Sequence, residues 1–331
     1  MHGCTDFYMN FTDPSLRFSG RTLDLGSMTN WSISSWPVES EQHHDFVNWQ
    51  PKYSSLGLTG NWLGDDRFLA ISFFGDSLNE HGLSCSFLTL VDTEYEEKSE
   101  SKNNIFAGVF CHWVSQLFTN VDEVQSALED VAIWGPDALA QHFALRDASG
   151  KSLVIECVGG QHISYVDAND GVSSFGIMTN EPTFDYHLMN IQHYEWKRTL
   201  ARQSVAVPGN FYPEERYLRV HMVKAGMQSL METTSDYQTA FSLTTQVLNT
   251  ITVPMGEQYG TDSGDSSGEG QNDHSQWGLI RDHYNKVIYW RDAANPTFRR
   301  VRLEDALASG EQKTMKLQTG PYFVDMSAAL A

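Results

Sequence analysis

Paired β runs closed by short turn signals recur along this 331-residue chain, and that recurrence most narrows what it can fold into. Thr5 to Phe11 is rich in β-branched and aromatic residues and reads as a strand. Asp13-Pro14 is a turn signal, and Leu16 to Leu23 returns as a second strand. Gln141 to Arg146 and Ser152 to Val158 flank Asp147-Ala-Ser-Gly150 as a hairpin, and His162 to Val166 follows before Ser173 to Thr179. Trp277 to Ile280 and Val287 to Trp290 make a last hairpin around His283 to Lys286. Helical spacing falls in separate runs: Ile105 to Phe118, Pro213 to Met231 and Tyr237 to Leu248. A further helix, to about Val131, opens on the capping box Asn120-Val-Asp-Glu123 and turns Val121, Val124 and Leu128 inward. Hairpins and helices in separate blocks suit a layered α+β domain, not a doubly wound parallel sheet.

Between these blocks, Arg67 to Gly75 reads as a buried strand, Asp76 to Leu83 as a turn and Ser84 to Val91 as another strand. Residues 25–60 read as loops with short strands. Residues 256–276 form a flexible Gly/Ser/Asp-rich acidic loop, and the tail after Asp305 is weakly helical, then irregular. No linker divides the first 250 residues, so residues 4–331 read as a single domain.

A net charge of -20 opposes a nucleic-acid partner and docking on anionic lipid. It leaves room for a small anionic substrate in a locally basic pocket, for which Arg21 and Arg216 are candidates. No run of 18 apolar residues is present, so no membrane-spanning helix is expected. The chain as it stands reads as cytoplasmic, or as periplasmic if a signal peptide precedes it. Cys4, Cys85, Cys111 and Cys157 are too few and too dispersed for a disulfide scaffold, and the last three sit in apolar runs as buried thiols. No metal is expected: His43-His44-Asp45 has no second cluster to complete it, and the acidic loop lacks EF-hand spacing. Trp31, Trp36 and Trp49 are open to two readings, ordinary packing or an aromatic wall for an apolar acyl group.

Cys4 is open to two readings, a small buried or solvent-facing cysteine that happens to sit early, or a nucleophile. A thiol this close to the start can become the first residue once a short leader is lost. It then holds a nucleophilic sulfur together with an α-amine of pKa about 8, suited to act as base. His2 is bulky for methionine removal, so Met1-His2-Gly3 is expected to leave together by cleavage at Gly3-Cys4. Arg21 and Asp24, three residues apart, fall on opposite faces of a regular strand, and a bulge or strand end is expected to bring both to Cys4.

Cys4, Gly20-Arg21-Thr22-Leu23-Asp24, Asn79-Glu80-His81-Gly82-Leu83, Met178 to Asp185, Pro208-Gly209 and Glu215-Arg216-Tyr217-Leu218-Arg219 occur in that order. Together they resemble the choloylglycine hydrolase family, the conjugated bile salt hydrolases and penicillin V acylases among the N-terminal nucleophile hydrolases. The resemblance implies a four-layer αββα sandwich, two antiparallel sheets between helical layers. It implies cleavage of an N-acyl amide bond through a thioester, without metal or organic cofactor. Cys4 is the implied nucleophile, and Asp24 orients its amine. Arg21 and Arg216 stabilise the thiolate and lower its pKa, while Asn180 and the Thr89 backbone N–H hold the oxyanion. His81 stands where relatives carry Lys, and Thr89 where they carry Asn or Tyr. The implied partners are a small-molecule N-acyl substrate and further copies of the chain, as a dimer or tetramer. Glu195 to Val207 is shorter than the assembly loop of Gram-positive bile salt hydrolases. That places the chain nearer the Gram-negative penicillin acylases, with N-acyl homoserine lactones as the natural target, and argues against a tetramer built on that loop. Conjugated bile salt hydrolysis is the alternative activity, and a non-catalytic binder of amphipathic acyl compounds the alternative class.

Overall fold

Alternation along the first two strands sets the layering. β1 (Gly3–Asn10) and β2 (Arg17–Leu25) pair antiparallel from Gly3↔Asp24 to Asn10↔Arg17 without a break, and both faces of the pair are buried. Successive side chains point to opposite faces. Cys4, Asp6 and Tyr8 therefore share one face with Ser19 and Arg21, and Thr5 and Phe7 share the other with Gly20, Thr22 and Asp24. Gly20 has a packing reason: a Cβ there would lie 2.3 Å from the Phe7 ring.

The computed structural model describes residues 3–25, 30–38, 49–61, 72–167, 176–255 and 274–324. After β2 come β3 (Trp31–Trp36), β4 (Ser55–Asn61), β5 (Ser72–Asn79), β6 (Ser84–Thr89) and β7 (Asn103–Phe106), then α1 (Phe110–Leu117) and α2 (Val121–Ala127). Next are β8 (Val131–Trp134), β9 (Gln141–Arg146), β10 (Ser152–Val158), β11 (Gln161–Asp167) and β12 (Ile177–Met178). Four helices follow: α3 (Phe184–Glu195), α4 (Pro213–Gly226), α5 (Gln228–Thr233) and α6 (Tyr237–Ile251). The chain closes with β13 (His274–Asp282), β14 (Val287–Asp292), β15 (Arg299–Arg302), α7 (Leu303–Leu307) and β16 (Lys313–Lys316).

Among the described residues the strands form a six-stranded sheet, β12-β1-β2-β13-β14-β15, and an eight-stranded sheet, β11-β10-β9-β6-β5-β4-β3-β16. Helices α4 and α6 cover the six-stranded sheet. Thr5 meets Arg216 of α4, and Phe18 packs edge-on against Tyr237 and Phe241 of α6. Helix α1 covers the eight-stranded sheet, where Ser77 Oγ and Asn79 Nδ2 donate to the Cys111 and Ser115 carbonyls at 3.0 Å. Between the sheets Trp31 meets Trp277 edge-on at 5.4 Å. The four layers are thus helices, sheet, sheet and helices.

Several expected elements change at their ends. Residues 103–106 are strand, not the start of a helix, because they pair in parallel with β8; the α-helix begins at Phe110. In the capping box Asn120 accepts the Glu123 N–H at 3.0 Å, while Glu123 reaches the Thr119 N–H at 2.8 Å instead of the Asn120 N–H. Val121, Val124 and Leu128 are buried as expected. The helix expected over 213–231 divides at Met227 into α4 and α5, and α3 runs on into a π-helical turn, Trp196–Leu200. Residues 274–276 belong to β13, not to the acidic loop, and the tail adds β16 to the edge of the eight-stranded sheet through β3. His43 to Asp45, Arg67 to Ile71, residues 168–175 and residues 256–273 lie outside the described residues.

The three tryptophans are placed by packing. Trp31 lies against Trp277, Trp36 against Phe74 and His112, and Trp49 Nε1 donates to Gln116 Oε1 at 2.7 Å. All four cysteines are buried and free. Among the described residues no group of His, Cys, Asp and Glu is placed to hold a metal, and no helix is long and apolar enough to cross a membrane.

Candidate active site

Arg21 and Asp24 do lie on opposite faces of β2, and no bulge in that strand is needed to bring both to Cys4. They reach it from two sides. Arg21 turns between the sheets with the Cys4 side chain, and its positive charge pulls the thiol pKa down. Its Nη1 donates to the Gly75 carbonyl and, at 3.1 Å, to Asp76 Oδ2, and its Nη2 to the Phe87 carbonyl. Gly75 is the extra residue at the β5 bulge, so its carbonyl is out of ladder register. A Cβ at Gly75 would sit 2.7 Å from the Trp31 ring. Asp24 lies on the helix side with Thr22, whose hydroxyl donates to Oδ2 at 3.3 Å, and Ser275 Oγ donates to Oδ1. From there Asp24 addresses main chain: a Cβ on Gly3 would be 3.3 Å from Asp24 Oδ2 and 3.1 Å from Arg216 Nη2.

Asn180 bridges the site. Its Oδ1 accepts the Cys4 N–H at 2.7 Å, and its Nδ2 donates to the Thr89 carbonyl at 2.7 Å. Cys4, Asn180 and Thr89 come from three strands or strand ends separated by up to 176 residues, so only the fold assembles them. The Asn180 amide nitrogen keeps a second hydrogen for another acceptor. At Thr89 the Asn180 bond is made to the carbonyl, in the last residue of β6.

Arg216, in α4, grips the backbone. Its Nη1 donates to the Cys4 carbonyl and to Thr5 Oγ1, its Nη2 to Asn180 Oδ1 at 2.9 Å and its Nε to the Phe211 carbonyl at 2.7 Å. Asp24 Oδ2 is 3.8 Å away. Its bond to Thr5 Oγ1 lies on the Thr5 face of β1, opposite the sulfur, so the expectation that it stabilises the thiolate gives way to a clamp on the Cys4 main chain. The thiol pKa differs from expectation too. Burial pushes it above its ordinary value, Arg21 pulls it back and Asp24 pushes it up again; the net direction is upward. A bare guanidinium nearby does not outweigh desolvation here. Arg219, the other α4 arginine, is a structural strap, buried and bonded to the Pro208, Asn210 and Thr250 carbonyls.

Two histidines not singled out from the sequence hold Asn180 in place. His142 Nε2 donates to the Thr179 carbonyl at 2.8 Å, while its Nδ1 faces Glu156 Oε1 at 3.1 Å. Glu156 also accepts the Phe184 N–H, which ties the start of α3 to β10. His187 Nε2 donates to the Asn180 carbonyl at 3.1 Å and stacks on Tyr217 at 4.5 Å. The only trace of these roles in the sequence is a histidine on a strand that turns inward and another on the first turn of a helix beside Asn180.

Burial lowers the His187 pKa to about 4, so the folded protein holds it neutral at pH 7. An unfolded histidine binds its proton near pH 6.5, so below that pH the unfolded state binds more protons. Stability is therefore complete above about pH 6.5 and is lost as pH falls toward 4, by on the order of 3 kcal/mol from this group. Urea unfolding of wild type and His187→Asn at pH 7 and pH 4.5 is expected to show a smaller loss in the variant. Equal losses would remove His187 from the account of acid sensitivity.

A four-layer αββα sandwich with two antiparallel central sheets is the fold of the N-terminal nucleophile hydrolase class. Within that class the chain belongs to the choloylglycine hydrolase family of linear amide C–N hydrolases, whose family model matches residues 4–314. It is similar to the bile salt hydrolase/transferase of Clostridium perfringens (strain 13 / Type A), 30% identical over 68% of this chain and 72% of that one. It is also similar to the penicillin V acylase of Pectobacterium atrosepticum, 23% identical over 96% of this chain and 86% of that one. Its fold superposes on the conjugated bile acid hydrolase of Clostridium perfringens with a TM-score of 0.76 at 25% identity, covering 95% of this chain and 96% of that one. The penicillin V acylase of Agrobacterium tumefaciens shares the fold with a TM-score of 0.75 at 20% identity, covering 96% and 92%. The chain is thus a hydrolase of linear amide C–N bonds.

Proposed function

We propose that this hydrolase works through Cys4 as an N-terminal nucleophile, on N-acyl amides of the penicillin V type. The observation that carries the reading is the Cys4 main chain itself: its nitrogen sits 2.7 Å from Asn180 Oδ1 and its carbonyl is held by Arg216. A nucleophile in an ordinary strand has no need of two polar side chains on its own backbone. With residues 1–3 gone, that nitrogen is an amine oriented by Asn180, with Asp24 and Arg216 where Gly3 had been.

The sulfur attacks the acyl carbonyl as its proton passes to the amine. The oxyanion is held by the Asn180 amide and the Thr89 backbone N–H. Collapse breaks the C–N bond, the ammonium gives its proton to the leaving nitrogen, and a thioester remains. Water, deprotonated by the same amine, then releases the acid and the thiol is restored. No step requires a metal or organic cofactor.

The penicillin V acylase similarity extends over 96% of the chain and supports that substrate class; N-acyl homoserine lactones, which present the same N-acyl amide bond, are the natural target put beside it. Conjugated bile salt hydrolysis is supported by the 30% identity to the bile salt hydrolase/transferase. Turnover of phenoxyacetyl amides, long acyl homoserine lactones and tauro-conjugates, compared at equal enzyme, separates these. Phenoxyacetyl cleavage is expected to be fastest, and a preference for tauro-conjugates would replace the reading with the second one. A protein that keeps Met1-His2-Gly3 and turns over none of them would favour a binder of amphipathic acyl compounds.

Intact mass tests the leader. Active protein is expected to begin at Cys4, and active protein retaining Met1 would refute the amine as base. Gly3→Val is expected to stay at full mass without activity, because its branched side chain would crowd Asp24 and Arg216 where even a Cβ is tight. Normal processing of that variant would show that position 3 needs no glycine.

A further inference from the structure

Between the two sheets, behind Arg21, lies a fully buried set of charges that the mechanism does not use. Asp76 of β5 is shared by two arginines. Its Oδ1 accepts Arg281 Nε at 2.7 Å, and its Oδ2 accepts both Arg281 Nη2 and Arg21 Nη1, the latter at 3.1 Å. Arg281, from β13, also donates to Asp6 Oδ2 through both terminal nitrogens at 3.1 Å and to Ser19 Oγ at 2.7 Å. All four charged groups have no solvent exposure. The two arginines are therefore unequal. Arg281 faces two carboxylates, one of them bidentate, whereas Arg21 has a single contact to a carboxylate already engaged and otherwise meets neutral carbonyls.

We infer that Arg281 is a positioning residue for the nucleophile: by taking Asp76 in a bidentate ion pair it leaves the Arg21 charge available to the Cys4 sulfur. Asp76 supplies the opposing pull, fixing where the Arg21 guanidinium sits while drawing on its charge. The inference rests on the reading of Cys4 as the reacting thiol, but it concerns the charge around that sulfur and not the substrate.

The other ionisable groups around Cys4 are accounted for. Asp24 approaches from the helix face of β2, and Arg216 holds the Cys4 carbonyl. Asp6, one pleat along β1, is also paired with Arg146 of β9 at 3.1 Å. Cys85 of β6 lies against Asp76 and Arg281, and burial followed by the neighbouring Cys111 keeps its thiol neutral. His283, beside Ser19, is kept neutral by burial, its pKa lowered to about 3. Burial works against the charge on Arg281, but Asp76 and Asp6 outweigh it and hold its proton more firmly than usual.

The test is a thiolate titration by ultraviolet absorbance, with Cys4→Ser as the blank that removes the other thiols and the tyrosines. Asp76→Asn deletes a negative charge without changing shape and is expected to lower the Cys4 pKa by on the order of one unit. Arg281→Met deletes a positive charge and is expected to raise it by a similar amount, and Arg281→Lys to return it toward wild type. Loosening of the fold would move every variant in one direction. If Arg281→Met does not fold, the double variant Asp76→Asn/Arg281→Met removes the pair whole and is expected near the wild-type value. Opposite shifts support the inference. Shifts of the same sign, or an unmoved Asp76→Asn, overturn it. The titration needs no turnover, so shifts in a protein with no amidase activity would sink the functional reading and leave this one standing.

Discussion

Replacing Cys4 by alanine is expected to remove amide hydrolysis, on the order of a million-fold, the scale on which deleting the nucleophile acts in other hydrolases. The loss should be chemical and not structural. Asn180 and Arg216 hold the Cys4 nitrogen and carbonyl, which alanine keeps. The polar frame of the site should persist, and the variant should unfold at nearly the wild-type temperature. Cys4→Ser keeps a nucleophilic atom in the same buried place but makes it far less acidic, so most activity should go with it. Steady-state rates on the best phenoxyacetyl amide, with circular dichroism as the check on folding, give the answer. Intact mass adds a second reading. If the sulfur also cleaves Gly3-Cys4, the alanine variant should keep Met1. Unchanged turnover in either variant would refute Cys4 as nucleophile.

What the sequence could supply is clearest at the hairpins. The turns at Asp13-Pro14, Asp147 to Gly150 and His283 to Lys286 sit between runs whose residues can be buried on both faces, and each pair forms as an antiparallel hairpin. Strands that owe their existence to a partner were invisible. Lys313-Thr-Met-Lys has no apolar alternation and is a strand because β3 presents an open edge. Ile105 and Phe106 open a run with helical spacing but are pulled, with Asn103 and Asn104, into a ladder by β8. The site divides in the same way. Its residue types could be named from the motifs, but which atom each one serves could not. Arg21 and Asp24 looked as though a bulge were needed to bring both to Cys4; on a regular strand they reach it from opposite faces, one beside the sulfur and the other beside the main chain. Arg281 had a signal of a kind, as a charge at an inward position in a strand otherwise filled by Trp277 and Leu279. Its partners, Asp6 and Asp76, are 275 and 205 residues away, so the pairing that makes such a charge tolerable is a property of the sandwich alone.

Asn180 is where the fold and the chemistry are least separable, and its substitution is expected to have the second largest effect. Asn180→Ala removes the acceptor of the Cys4 nitrogen, a partner of Arg216 and the link to Thr89 together. As an oxyanion donor the amide alone is worth on the order of a hundred- to a thousand-fold in kcat, about 2.7–4 kcal/mol. Because that interaction strengthens only as charge develops on the oxygen, kcat should fall with little change in KM. Asn180→Asp sharpens the point. It retains an oxygen for the Cys4 nitrogen and gains attraction to Arg216, so the position of the amine should survive. It loses the N–H to the oxyanion and sets a carboxylate oxygen against the Thr89 carbonyl, which repels it. If Asn180 serves as donor, the aspartate should be at least as poor as the alanine despite its better fit to Cys4 and Arg216. If the aspartate stays within a few-fold of wild type, the residue acts by holding the amine alone, and the oxyanion must be bound elsewhere.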